Sequence, residues 1–148
     1  MSYSPSLDEF LSAARREFGF LVAEFGFEEI PDHRQFPNPF AVCYSNHTTE
    51  VCIEGTSWGA GIQVMLINLA AAPGSPREIP LWVIVQLRTR QEGGAISGQL
   101  RLLARDAALL REHAHDVLRG DFAIFPEADA LMMRIHEENL KPRQSFWP

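Results

Sequence analysis

The chain has 148 residues and a net charge of −6, with 46% hydrophobic and 22% charged residues. A domain of this length buries roughly 70% of the surface its unfolded chain would expose, so it needs neither metal nor disulfide to fold. These values exclude collagenous, disulfide-rich, disordered and membrane-spanning classes and predict a single domain over residues 1–148.

The charge is uneven. Residues 1–60 hold nine acids and three bases, whereas residues 61–148 hold ten of each. An acidic first part and the lack of a basic stripe argue against nucleic acid and against anionic membrane surfaces. They favour a basic protein partner, mainly through its association rate. The N-terminus has no basic segment followed by an apolar one, and the longest apolar runs, 64–67 and 81–85, are too short to span a bilayer. With two cysteines and no export signal, the expected location is the cytoplasm, with reduced thiols.

Ser6 and Glu9 form a capping box. Leu7, Phe10, Leu11, Ala14, Phe18, Leu21, Val22 and Phe25 then recur at helical spacing, which predicts one amphipathic helix over 6–25. Gly19 weakens its middle and Gly26 stops it. Residues up to Pro39, with Pro31 and Pro37, read as a connecting loop. A β-hairpin follows, with Val42, Tyr44, Val51 and Ile53 on one apolar face. A four-residue loop, 46–49, sets Cys43 opposite Cys52, where a non-hydrogen-bonded pair is able to form a strained disulfide. A two-residue loop instead sets Cys43 opposite Glu50. Two buried thiols are the simpler reading of the pair.

A third strand is predicted over 62–69, a Pro-rich loop over 70–80 and a fourth strand over 81–88. Ile96, Leu100, Leu103, Ala107, Leu110, Ala114, Val117 and Leu118 define a long amphipathic helix that Gly120 ends. Pro126 suits the first turn of a last helix, and residues 142–148 read as a loosely ordered tail. The expected fold is therefore α+β: a four-stranded antiparallel meander flanked by an N-terminal helix and two C-terminal helices. Met65, Ile67, Trp82 and Ile84 make the two later strands apolar on both sides. The second sheet face would then be covered by the last helix, the Pro-rich loop or a second copy in a homodimer.

No catalytic signature is present. Gly55-Thr56-Ser57-Trp58-Gly59 only superficially resembles a nucleophile elbow, and Gly93-Gly94-Ala95-Ile96-Ser97-Gly98 lacks both the dinucleotide spacing and a phosphate-binding Lys. His113 and His115 point to different sides of their helix, no HExxH occurs, and two cysteines without nearby histidines make no zinc site. No cofactor and no metal are expected. Glu28, Glu29, Asp32 and His33 fit either acid–base work or, more simply, a solvated acidic loop. Phe36 and Phe40 flank Pro37-Asn38-Pro39, and Trp58 sits in a Gly-rich turn, positions typical of interface anchors.

Two segments carry a family resemblance: the hairpin 40–54 preceded by Phe25-Gly26-Phe27, and Leu109-Leu-Arg-Glu-His-Ala-His-Asp-Val-Leu-Arg-Gly-Asp-Phe-Ala-Ile-Phe-Pro126. Together they resemble small bacterial α+β proteins, some similar families of which are regarded as immunity proteins of polymorphic-toxin systems. The resemblance implies a cytoplasmic bacterial protein without enzymatic activity. The residues themselves support a protein-binding module for a basic partner, with Glu28, Glu29, Asp32, Phe36, Glu50, Glu54 and Trp58 as candidate contacts. One alternative is a ligand-binding protein or enzyme with a pocket between sheet and helices, using His113, Asp116 or Arg88. The other is a structural homodimer.

Overall fold

A computed structural model of the chain describes residues 5–56, 61–90 and 98–140. The elements run α1 (Leu7–Glu17), α2 (Phe20–Phe25), β1 (Glu28–Ile30), β2 (Ala41–Ser45), β3 (Thr49–Thr56), β4 (Gly61–Asn68), β5 (Glu78–Pro80), α3 (Leu81–Thr89), α4 (Gln99–His113), α5 (His115–Leu118) and α6 (Phe125–Leu140). The fold is α+β, and its sheet is an antiparallel meander in the order β1-β2-β3-β4-β5.

The expected N-terminal helix is present but broken. Ser6 and Glu9 form the capping box, and Gly26 closes α2 in a left-handed conformation at φ 69°. Between them, near Gly19, the ladder tightens to short bonds such as Leu21 N to Phe18 O. Gly19 is the weak point of the periodic stretch, and the break there lets both Phe18 and Leu21 reach the core completely.

Among the described residues the sheet has five strands, not four. β1 lies in the stretch expected to be a loop, and β5 in the Pro-rich segment. The predicted strand 81–88 is instead the helix α3. The apolar run Leu-Trp-Val-Ile-Val-Gln-Leu has no usable period, and a run of that kind fits a buried strand and a buried helix equally well. Pro80 stands at the helix N-terminus, where its missing N–H costs nothing. Leu81, Val83 and Ile84 are buried, while Trp82, expected on the sheet's second face, turns half outward. At the other end of the fold, the predicted long helix divides at Ala114 into α4 and α5. The tail 142–148, Trp58 and the glycine turn 93–97 lie outside the described residues.

The hairpin takes the four-residue loop: Ser45 pairs with Glu50, Cys43 with Cys52 and Val42 with Ile53. Asn46 fixes this turn. Its Oδ1 accepts from the N–H groups of Thr48 and Thr49 at 3.0 and 2.8 Å. The turn also satisfies the open carbonyl end of α5, because Asn46 Nδ2 donates to Leu118 O and Thr49 Oγ1 donates to Val117 O. Gly120, at φ 92°, follows α5, and a Cβ there would crowd Thr48 at 3.0 Å.

All the helices that cover the sheet pack on one side. Val42, Tyr44, Val51, Ile53, Val64, Leu66 and Ile79 meet Phe10, Phe18, Leu103 and Leu110 in a single core. The opposite side carries a separate small cluster of Cys43, Cys52 and Ile67, with Ile30, Met65 and Leu69 against it.

Candidate functional site on the open sheet face

Strand register builds this opposite face residue by residue. Side chains alternate along a strand, so residues paired across neighbouring strands form transverse rows on one side. One row runs Glu28, Ser45, Glu50, Ile67, Glu78 across all five strands. The next runs Ile30, Cys43, Cys52, Met65, Pro80. Ala41, Glu54 and Gln63 form a third. An acidic row thus borders an apolar one.

The β1–β2 connection, residues 31–40, crosses this face as a strap. His33 Nε2 lies 2.8 Å from Glu50 Oε1, a contact to the first row. Arg34 Nη1 donates to Glu54 Oε2 at 2.9 Å, a contact to the third. The strap therefore spans the cysteine row between them. Its own shape is set by Asp32, which accepts from Arg34 Nε at 2.7 Å, Arg34 Nη2 at 2.6 Å and Asn38 N at 3.1 Å. Asn38 closes the far end by donating to Gly55 O and accepting from Phe40 N. Phe40 then stacks edge-on against Phe10, whereas Phe36 projects from the strap with 83% of its surface exposed.

Under the strap the groups are largely dry. Glu50 is 4% exposed, and its second oxygen lies 3.5 Å from Cys52 Sγ. The Cys52 thiol is pushed far up, first by hydrogen bonding with Cys43, then by burial and by the neighbouring Glu50 carboxylate. Glu50 holds His33 above the usual imidazole range. Arg34 holds the Asp32 carboxyl well below the usual carboxylate range, mostly through their side-chain hydrogen bonds. Beside the strap lies a cavity of about 120 Å3, floored by Cys52, Met65, Ile67 and Leu69 and rimmed by His33, Arg77 and Glu78. Clefts that enclose small organic ligands are larger, roughly 300–1,000 Å3.

The structure brings three of the candidate contacts under the strap: Asp32 and Glu54 share Arg34, and Glu50 meets the adjacent His33. Glu28 lies exposed on the edge strand with its side chain on this same face. Glu29 points to the helix side, where Arg15 binds it through two hydrogen bonds of 2.9 and 3.0 Å. Phe36 sits on the strap, and Trp58 is outside the described residues. Arg34 is the residue sequence reasoning missed. Its signal was local: Asp32 two positions before it and Asn38 four after, both turn-forming residues with side chains that bind backbone N–H groups.

The second set of polar candidates lies elsewhere. Arg88 donates to both Asp116 oxygens, at 2.8 and 2.6 Å, and also to the His113 carbonyl. This fork pins α3 to the α4–α5 junction. The His113 ring lies 3.8 Å from Glu112, and Asp116 is taken by Arg88. Among the described residues no cluster of three or more His, Cys, Asp or Glu is able to hold a metal ion, and no helix is long and apolar enough to cross a membrane. Comparison with family models, curated proteins and solved structures finds no match to the chain.

Proposed function

We propose that this chain is a non-enzymatic binding protein of the immunity type, acting in the cytoplasm, whose open sheet face receives a basic protein surface. The observation that supports it most is the pair of exposed carboxylates Glu28 and Glu78 at the two ends of the row that holds the buried Glu50, beside an apolar floor and on the face crossed by the strap that carries the exposed Phe36. Arg34 serves two carboxylates, Asp32 and Glu54, so that trio is itself one charge negative. Positive charge on a partner would therefore find uncompensated negative charge here, and Phe36 provides an aromatic anchor of the kind that dominates binding energy.

The test uses the full chain as bait in native-host lysate, beside a variant carrying Glu28→Lys and Glu78→Lys and another carrying Phe36→Ala. All three positions are exposed, so the fold should be unaffected. The expected result is one basic protein retained in equal amount by the wild type and lost from both variants. With that protein purified, its association rate should fall roughly tenfold or more in the charge variant at low salt. Equal retention by all three baits would overturn the reading. Recovery of only a second copy of this chain would replace it with the homodimer.

A further inference from the structure

The hydrogen-bond pattern of the hairpin decides what its two cysteines can do. Asn46 N donates to Thr49 O at 3.0 Å, and Gly55 N donates to Phe40 O at 2.8 Å. In an antiparallel ladder, hydrogen-bonded and non-hydrogen-bonded pairs alternate. The hydrogen-bonded pairs are therefore 46/49, 44/51, 42/53 and 40/55, which makes Cys43 and Cys52 a non-hydrogen-bonded pair. Pairs of this type bring their Cα atoms to about 4.5 Å and their side chains closest together. That lies at the short end of the range of about 4.4–6.8 Å that a disulfide spans.

Both thiols are free and buried. Among the described residues no helix covers their face; they pack with Ile30, Met65, Ile67 and Leu69, and the 31–40 strap crosses their row, held by His33 on Glu50 and Arg34 on Glu54. We propose that Cys43 and Cys52 are a redox-active dithiol that closes to a cross-strand disulfide when the strap lifts, with a low-molecular-weight disulfide as oxidant.

With the strap down, Cys52 keeps its proton against Cys43 and Glu50 and is poorly nucleophilic. With the strap up, water reaches the row and a thiolate can form. One cysteine thiolate attacks a sulfur of the oxidant, forms a mixed disulfide and expels one small thiolate. The other cysteine, losing its proton, attacks the protein-bound sulfur, forms the Cys43 Sγ–Cys52 Sγ bond and expels the second small thiolate. The two cysteine protons end on the two expelled thiolates. The protein is oxidised by two electrons and the small disulfide is reduced to two thiols. A bond across so close a pair is strained, and strained disulfides are the readily reduced, regulatory ones. Forming it removes the S–H group that Cys52 turns toward Glu50, so oxidation alters the acidic row directly.

The experiment incubates the full reduced chain with oxidised glutathione and follows intact mass and peptide maps. The expected product is a Cys43–Cys52 link without bound glutathione, reversed by reduced glutathione. Cys43→Ser and Cys52→Ser should each stop at a mixed glutathione adduct. Arg34→Ala should speed closure roughly tenfold or more, since it removes charged hydrogen bonds that hold the strap. A circular-dichroism spectrum matching wild type would show that Arg34→Ala folds; for a variant that does not fold, the peptide map of the wild type decides. Two unlinked cysteines, or one glutathione on each, would overturn the proposal. Equal closure rates in wild type and folded Arg34→Ala would overturn the gating.

Discussion

The two faces of this sheet are made by the same strands and closed in different ways. On the helix side, alternate residues such as Val51, Ile53 and Leu66 are aliphatic and meet Phe10, Phe18 and Leu103 with no exposed surface. On the open side the same strands present Cys43, Cys52, Glu50 and Glu54, and among the described residues the segment that crosses them is a loop held by charged hydrogen bonds. Apolar contact is non-directional and scales with area, so the helix side gains from every residue it buries. A strap gains only where each donor meets its acceptor, and a segment with few buried apolar contacts opens at a lower free energy than the core. The difference places the stability of the molecule on one face and its capacity to change on the other.

The sharpest way to break this contrast is to truncate the helix side. Phe18→Ala leaves a cavity in a site with no solvent access and should cost about 3–5 kcal/mol, read from urea unfolding. Removal of a strap contact should cost less. Arg34→Ala deletes bonds to Asp32 and Glu54 that are partly exposed, so we expect about 1–2 kcal/mol. Amide exchange should rise over residues 31–40 and stay unchanged in β3 and β4. Equal losses from both substitutions would erase the distinction between the faces.

The strap should also respond to pH while the helix side does not. Asp32 has a lowered carboxyl pKa when folded, so its contribution is present above the ordinary carboxylate value near 3.9 and is lost as pH falls. His33 has a raised pKa, so its contribution is complete below about 6.5 and is lost as pH rises through the folded value. The strap is therefore tightest between roughly pH 4 and 6.5, and protection of the 31–40 amides, relative to their intrinsic exchange rate at each pH, should be greatest in that window. The groups facing His33 are Glu50 and Asp32, and His33→Gln should flatten the upper limb only.

The smallest effect belongs to the exposed ion pairs. Arg111 reaches Glu24 at 2.6 Å with about half of both side chains in water. Arg111→Ala should change stability by about 0.5 kcal/mol or less, and added salt should remove the difference.

Several of these features were legible in the residues. The capping box at Ser6, the stop at Gly26, the stripe from Leu103 to Leu118 and the apolar hairpin face all appear where their spacing places them. The hairpin register was legible as two alternatives. Choosing between them needed Asn46 and Thr49, which bind the end of α5 more than sixty residues away. The strand predicted over 81–88 failed because nothing local separates the two states: Leu81, Val83 and Ile84 are buried in either one. Among the proposed contacts, the acidic residues were legible as charge and not as partners. Glu29 and Asp32 are three positions apart, yet one faces Arg15 in α1 and the other Arg34 in the strap.

Local pattern accounts for the α+β class, the helix boundaries set by caps and glycines, and the alternation that divides apolar from polar along β2 and β3. These depend on residues within a turn or two of one another, where sequence distance and spatial distance agree. The fifth strand, the helical state of residues 81–89, the rows across the sheet and the strap over the thiols depend on pairings between segments far apart in the chain. Such pairings form only when burial and hydrogen bonding across the whole fold outweigh the weak local preferences of each segment, so only the folded chain decides them.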